Sequence, residues 1–478
     1  MLTSDLQKYR LGLFWFTNDL RLKDHPLLVR AAQQCQHLLF IFIRDTQQTR
    51  GNRFVSSRMS ANRSLFQLQT LQSLNLDLKK LGQALFYAEG APTAIVEQVI
   101  NQLQPDAIYR SRQVASEEKR PWQQLQSQFP NSKFITATVQ NIYQSDQLPV
   151  SADALPDTFS KFRKLVEKTA PNYGEVQIQA APTSLPPPPK PTALSDHLAL
   201  VAVDEWHINP PAQPGQSNKS AVEPLPAKAG EEAALNYMQG YFKTSAASHY
   251  KETRNALDGE FTSTGFSPWL ANGTLSPNQV LAALGRYQRL HGRNESTYWI
   301  YFELLWREYF QLYALKHGDK LFQLRGITNK PVTGCLYGER LARWINGTTP
   351  YPLVNACMNQ LRETGLLSNR GRQIVASCLI HELQLDWRAG AYYFEQQLVD
   401  YDVASNWGNW QYIAGVGADP RQGRHFNLEK QQQMFDPEGE YIAKWRGDVG
   451  DRGAFIDSVD AADWPTNQPV DTSGGTLQ

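Results

Sequence analysis

Leu11-Gly-Leu-Phe-Trp-Phe16 is an apolar run that breaks at once into Thr17-Asn18-Asp19. It reads as a strand buried on both faces. Leu38–Ile43, Ala84–Ala88, Ala107–Tyr109 and Phe134–Val139 repeat the pattern. Between these runs the period changes. Arg58–Leu81 carries Leu65, Leu68, Leu71, Leu74 and Leu78 at helical spacing, and Pro92–Leu103 and Glu117–Gln128 read likewise. The alternation predicts a doubly wound α/β domain with a parallel sheet over residues 1–148. Ligands of such sheets gather at the carboxyl ends of the strands.

From 149 to 229 the composition turns to proline, with Pro186–Pro189, Pro210, Pro211 and Pro214 amid Ser, Asn and Gln. Proline lacks a donor and breaks helices, so this stretch reads as an extended connector, interrupted by one short helix at Pro156–Lys168. Residues 230–437 then read as an all-α domain. Apolar positions recur at three and four spacings through Glu231–Phe242, Asn278–Leu290, Thr297–Leu315, Glu339–Asn346, Leu353–Glu363, Gly371–Leu383 and Trp387–Leu398. Residues 438–478 form a polar, glycine-rich tail, and no internal repeat is visible.

The chain has 478 residues, room for two or three domains at about 100–200 residues each. With 41% hydrophobic and 19% charged residues it is neither disordered nor membrane-embedded. Its apolar runs fall far short of the roughly 18 residues that cross a bilayer. Asp5, Lys8 and Arg10 break up the first ten residues, so no secretory leader is read and a cytoplasmic location is expected. Cys35, Cys335, Cys357 and Cys378 show no C-x-x-C spacing, which argues against zinc, an iron–sulfur cluster or disulfides. Net charge is +1, so a nucleic-acid partner would need a local basic patch. Twelve Trp, many from residue 299 onward, offer core volume, stacking surface and redox capacity alike.

No phosphate loop, G-x-G-x-x-G, H-E-x-x-H or G-x-S-x-G occurs, which removes the common nucleotidase, dehydrogenase and hydrolase readings. Chemistry concentrates in the helical domain. Ser263-Thr-Gly-Phe-Ser-Pro-Trp-Leu270, after Tyr250-Lys-Glu-Thr-Arg-Asn255, reads either as an ordinary helix cap or as a phosphate-holding loop. In Trp299-Ile-Tyr-Phe-Glu-Leu-Leu-Trp-Arg-Glu308, Glu303 and Arg307 stand four apart, the spacing of an ion pair on one helix face. Asn369-Arg-Gly-Arg372, Asp400-Tyr-Asp402 and Asn406-Trp-Gly-Asn-Trp410 add Arg, Asp and Asn among aromatics. No His or third carboxylate stands at ligand spacing to the two Asp, so no metal is expected. A large, flat, phosphate-bearing ligand fits better.

Phe266-Ser-Pro-Trp-Leu-Ala271, Glu303-Leu-Leu-Trp-Arg-Glu308, Thr364-Gly-Leu-Leu-Ser-Asn-Arg-Gly-Arg-Gln373 and Leu398-Val-Asp-Tyr-Asp-Val-Ala-Ser-Asn-Trp-Gly-Asn-Trp410 together resemble the photolyase/cryptochrome family. Asn18-Asp-Leu-Arg-Leu-Lys-Asp24 resembles its N-terminal signature, and the resemblance runs in order from about Leu11 to Pro437. Tyr250–Asn255, Arg372-Gln373 and Gln411-Tyr412 resemble the DASH-type cryptochromes. The resemblance implies FAD folded in the helical domain, beside a hole for a flipped-out pyrimidine dimer. It implies light-driven splitting of cyclobutane dimers by electron transfer from excited reduced flavin, a deoxyribodipyrimidine photo-lyase acting chiefly on single-stranded DNA. A monomer without a membrane partner is expected.

Residue by residue, the resemblance gives Tyr250, Ser263, Thr264, Gly265, Phe266 and Ser267 to the flavin's phosphates and ribitol. Glu303 falls where a carboxyl bridges adenine and lesion bases. Arg307, Asn369 and Arg372 face the flavin, with Arg372 near N5 and compensated by Asp400. Asp400 and Asp402 contact isoalloxazine and ribityl groups, and Asn406 stands opposite N5. Trp306 is the stacking wall of the lesion pocket and Tyr412 its facing wall, with Arg370 and Gln373 as DNA contacts. Trp410 and Trp387 match the inner members of the family's electron-transfer chain. The outer Trp has no match near Gly334, so Tyr337 or Trp344 would have to substitute. Thr17 replaces the signature's usual Arg. Gln113 stands where DASH members place the Glu that grips the antenna, 5,10-methenyltetrahydrofolate, so little folate is expected here. A blue-light photoreceptor or regulatory cryptochrome that binds FAD and nucleic acid with little repair role is the alternative. Glu303, Trp306 and Asn406 favour the enzyme, since a pure sensor needs no lesion wall.

Overall fold

In the computed structural model of the protein, residues 8–144, 146–169, 172–190, 200–203, 227–332, 335–419 and 423–448 are described. The runs read as strands form one sheet: β1 (Tyr9–Phe16), β2 (Cys35–Asp45), β3 (Leu85–Gly90), β4 (Ala107–Ser111) and β5 (Lys133–Ala137), all parallel. The helices between them are α1 (Pro26–Gln34), α2 (Thr46–Thr49), α3 (Ala61–Lys80), α4 (Pro92–Leu103) and α5 (Ser116–Gln128). Alternation along β1 sorts its side chains. Phe14 and Phe16 pack with Leu28 of α1 and with Leu71, Leu74 and Leu78 of α3, while Leu11, Leu13 and Trp15 face α4 and Trp122 of α5. The sheet is therefore covered on both sides, as doubly wound sheets are.

The connector contributes more than length. Its helix α6 (Phe159–Thr169) packs on the helical domain, and β6 (Val201–Ala202) pairs antiparallel with β3, giving the order β5-β4-β1-β2-β3-β6. The edge strand was not foreseen, since two residues carry no period. Pro186 and Pro187 lie close to the sheet, their carbonyls accepting from the Gln83 amide and from the Leu38 N–H. Pro210, Pro211 and Pro214 lie outside the described residues.

The second domain is helical throughout its described length: α7 (Glu231–Lys243), α8 (Ala246–Thr253), α9 (Ser267–Asn272), α10 (Pro277–His291), α11 (Glu295–His317), α12 (Gly338–Asn346), α13 (Pro352–Thr364), α14 (Asn369–Ser377), α15 (Trp387–Gln397), α16 (Val403–Ile413), α17 (Leu428–Phe435) and α18 (Glu440–Lys444). A π-helical turn, Cys378–Glu382, continues α14. Part of the segment expected to be a polar tail is structured. In α18, Tyr441 and Ile442 are buried against the domain and their N–H groups donate to the Asp436 carboxylate. The tail beyond residue 448 lies outside the described residues.

The signature after β1 locks the two domains together. Arg21 is fully buried and donates to four carbonyl oxygens, those of Lys23, Asp24, Val139 and Gly273. The Glu231 carboxylate accepts from the Leu22 and Lys23 N–H groups at 2.8 and 3.0 Å, and Ser276 donates to Asp24. Buried polar groups are tolerated when each finds partners of this kind. The arrangement fixes the sheet's carboxyl ends beside the helical domain. Among the described residues no helix is long and apolar enough to cross a membrane.

Candidate functional site

A cavity of about 630 Å³ opens in the helical domain. Tyr250, Ser263, Thr264, Gly265, Phe266, Ser267, Glu303, Trp306, Arg307, Asn369, Arg370, Arg372, Gln373, Asp400, Asp402, Asn406, Trp410 and Tyr412 all line it. Residues more than 160 positions apart in sequence thus share one chamber. Trp387 is buried behind this wall, and Gln113 belongs to the sheet domain.

At one side runs the loop before α9. Gly265 has φ +63°, and a Cβ there would meet the Tyr237 hydroxyl, so glycine relieves both backbone strain and crowding at this turn. The capping reading of this loop fails: the residue before α9 is Phe266, and no side chain caps the helix. The hydroxyl-rich segment instead faces the cavity.

On the opposite side Arg372 donates to Asp400 at 2.7 Å and to the Leu367 carbonyl at 2.9 Å, the expected compensation. The Asp400 side chain is 1% exposed, and its Oδ1 has no hydrogen-bond partner among the described residues. A buried orphan acceptor beside a cavity wants a donor from a ligand. Asn406 is buried and its amide donates to the Ala391 carbonyl at 3.0 Å, which fixes the side chain. Asp402 is occupied structurally: it caps α16 through the Ser405 N–H at 2.7 Å and accepts from Gln311 at 2.8 Å.

The expected Glu303–Arg307 pair does not form. Glu303 pairs with Arg254 at 2.7 Å, and Arg307 turns to Gln140 and the Leu270 carbonyl. Helical spacing makes such a pair possible, but α11 meets different partners along these two positions. Burial pushes the Glu303 carboxyl up while Arg254 opposes the shift, and burial beside Glu303 raises the Tyr250 phenol. Burial thus works against the Glu303 carboxylate and the Arg254 guanidinium works for it. Arg254, at the end of α8, carries no signal in the sequence for this role, because its partner lies 49 residues further on in α11.

Trp306 stacks on Phe159 of α6, with centroids 3.8 Å apart and planes 14° apart. Tyr412 meets it edge-on at 5.9 Å, with its hydroxyl held by Arg424. Arg424 and Phe426 extend the rim beyond the motifs read from sequence. Arg370 donates to Asn255 at 3.2 Å and to Gln431 at 3.4 Å, and lies 4.8 Å over the Phe435 ring. The rim is thus basic and aromatic, the combination that holds unstacked nucleic-acid bases. Among the described residues no group of three metal-ligating side chains exists.

A second, smaller cavity of about 140 Å³ lies near the carboxyl ends of β1, β2 and β4, between the diverging strands where such sheets take ligands. Gln113 lines it, but the amide N–H is spent on Thr17 Oγ1 at 2.9 Å and on the carbonyl and hydroxyl of Ser111, each at 3.2 Å.

Residues 299–451 match the FAD binding domain of DNA photolyase, and residues 12–189 match DNA photolyase. The chain is 46% identical over 457 residues to the cryptochrome DASH of Idiomarina loihiensis, covering 96% of this chain and 97% of that one. A crystal structure of the Synechocystis cryptochrome superposes with a TM-score of 0.81 at 35% identity, covering 95% of each chain. A bacterial class III photolyase from Agrobacterium tumefaciens, 23% identical, shares the fold at a TM-score of 0.73 over 98% of this chain and 95% of that one. With an FAD-binding domain whose orphan acceptor and glycine turn suit that cofactor, the chain belongs to the photolyase/cryptochrome family, among the DASH cryptochromes.

Proposed function

We propose that the protein is a light-driven, FAD-dependent DNA photolyase that splits cyclobutane pyrimidine dimers, chiefly in single-stranded DNA. The observation that carries this reading is the shared chamber: Trp306, Tyr412 and Glu303 line the same cavity as the Ser263–Ser267 loop and Asp400. The reduced flavin, when bound and excited by light, supplies the electron that opens the dimer. The protein's part is binding, orientation and electrostatics. Ser263–Ser267 would hold the phosphates, Asp400 Oδ1 would accept from the flavin ring, and Asn406 would present its amide to it. Glu303, oriented by Arg254, would offer its carboxyl to a lesion base.

The single-strand preference follows from the corner that Trp306 and Tyr412 form edge-on, in place of two facing walls. Flipping a dimer out of a duplex costs a few kcal/mol, and least from a strand already single. Base–aromatic stacking returns about 1–3 kcal/mol per base, and a Tyr on one wall offers less ring than a Trp. The test is a dimer-bearing oligonucleotide incubated with purified FAD-loaded protein under blue light and in the dark. Dimers should disappear only in light, and faster from the single strand than from the duplex. No light-dependent loss from either substrate overturns the reading.

We propose also that the small cavity takes a folate antenna only weakly. Gln113 has committed its donors to Thr17 and Ser111, and charge-assisted bonds to a carboxylate would be about twice as strong as neutral ones. The protein should therefore purify with FAD but little methenyltetrahydrofolate. Gln113→Glu should raise near-ultraviolet absorbance after incubation with the folate. It should also lower stability by about 1 kcal/mol, because a carboxylate would face the Ser111 carbonyl without a donor. Stoichiometric folate in the parent protein, unchanged by the substitution, would show that position 113 does not decide antenna binding.

A further inference from the structure

Trp407, to which the sequence motifs assign no chemistry, stands at a crossing of aromatic side chains. Its ring lies 5.7 Å from Trp387 and 4.8 Å from Tyr392, both nearly edge-on, and its indole N–H donates to the Tyr401 hydroxyl at 3.2 Å. Trp407 is fully buried, whereas Tyr392 is half-buried and stacks on the half-buried Phe54, 5.5 Å away. Contacts therefore run from Trp387 through Trp407 to a tyrosine that water reaches. Trp387 in turn opens α15, which packs against α16, the helix that carries Trp410. Gly390, one turn further along α15, packs so tightly under the Trp410 ring that a Cβ would collide with it.

The other routes from the cavity wall end inside. Trp410 meets Phe394 at 5.1 Å and Trp344 at 6.4 Å, and Trp344 meets Tyr393 at 5.5 Å. Tyr393 is 2% exposed, and its buried hydroxyl has no hydrogen-bond partner among the described residues to take its proton. Tyr337 is exposed, but among the described residues no ring contact joins it to Trp344, Trp387 or Trp410. Gly334 brings no ring at all.

We propose that Trp407 and Tyr392 form the outer end of the electron-transfer chain, with Tyr392 as its terminal donor. This rests on reading the protein as a flavin photoenzyme. Trp410 gives one electron to the light-excited, oxidised flavin. Trp387 refills Trp410, Trp407 refills Trp387, and Tyr392 refills Trp407. Tyr392 loses one electron and, to water, its phenolic proton, leaving a neutral tyrosyl radical. An external thiol then returns a hydrogen atom to the phenol. The Arg58 guanidinium, 5.5 Å over the Tyr392 ring, disfavours a radical cation, so electron and proton leave together.

Light-induced electron paramagnetic resonance on the FAD-loaded protein, with flavin absorbance followed in parallel under external thiol, provides the test. The parent should show a tyrosyl signal. Tyr392→Phe should lose that signal and accumulate reduced flavin more slowly, and Trp407→Phe should do the same. Tyr337→Phe should behave as the parent. Trp387→Phe should block both events, and chemically pre-reduced Tyr392→Phe should retain repair. A tyrosyl signal and parent rate persisting in Tyr392→Phe, or lost in Tyr337→Phe, overturn the assignment while leaving the photolyase reading intact. A parent that binds FAD but shows no light-driven reduction overturns the chain, and failure of the pre-reduced parent to repair overturns the photolyase reading itself.

Discussion

Arg372→Ala should destabilise the protein by about 3–5 kcal/mol, the usual cost of stranding a buried charge, and should release its FAD. The reason is the asymmetry of the pair. Arg372 is 28% exposed and partly hydrated, but the Asp400 side chain is 1% exposed and has one oxygen without a partner already. Removing the guanidinium takes away the 2.7 Å bond to the other oxygen and leaves the carboxylate without a side-chain donor among the described residues. Asp400→Asn removes the charge and keeps a similar shape, so the double substitution should recover much of the lost stability. That recovery separates an electrostatic cost from simple loss of side-chain packing. Urea denaturation measures the stability and bound-flavin absorbance measures the site. Arg372→Ala with stability within about 0.5 kcal/mol of the parent, the range of an inert surface change, and with FAD retained would refute this account.

What the sequence discloses and what it hides divide along physical lines. Leu11–Phe16 and the four similar runs are legible because burial on both faces leaves an unbroken apolar signature, and the helices between them because one buried stripe repeats. The Ser263–Ser267 loop, Arg372, Asp400 and Asn406 are legible as a set because four separated stretches resemble one family. Contacts made across the fold are not. Glu303 and Arg307 look like partners at helical spacing, yet Arg254 and Gln140 claim them, and nothing local encodes that choice. Phe159 sits in the connector's short helix with no sign that it backs Trp306. The sheet edge formed by Val201–Ala202 depends on tertiary placement, because two residues have no period to read. Trp407 is hidden for a different reason: beside Asn406 and three residues before Trp410, it passes as core, and only its neighbours distinguish it.

Trp306→Ala should weaken binding of a dimer-bearing single strand by about 1–3 kcal/mol, the value of one base–aromatic stack, while FAD remains bound. Trp306 has one face closed by Phe159 at 3.8 Å and lies edge-on to Tyr412 at 5.9 Å, so a rigid, preoriented plane lines the cavity. A preformed stacking surface loses little entropy when a base arrives, which concentrates the binding energy on this one ring. Truncation to Ala removes the plane and uncovers Phe159, which is otherwise buried. Some loss of folding stability is expected with it, so Trp306→Phe supplies the control: a smaller ring can rest on the same Phe159 and should restore part of the affinity. Fluorescence anisotropy with single strands, with and without a dimer, reads the effect directly. The undamaged strand should lose less affinity than the damaged one, because only the flipped dimer reaches the Trp306 ring inside the cavity. Equal loss for both strands would make Trp306 a general nucleic-acid contact, and unchanged affinity with unchanged repair would remove it from the lesion pocket.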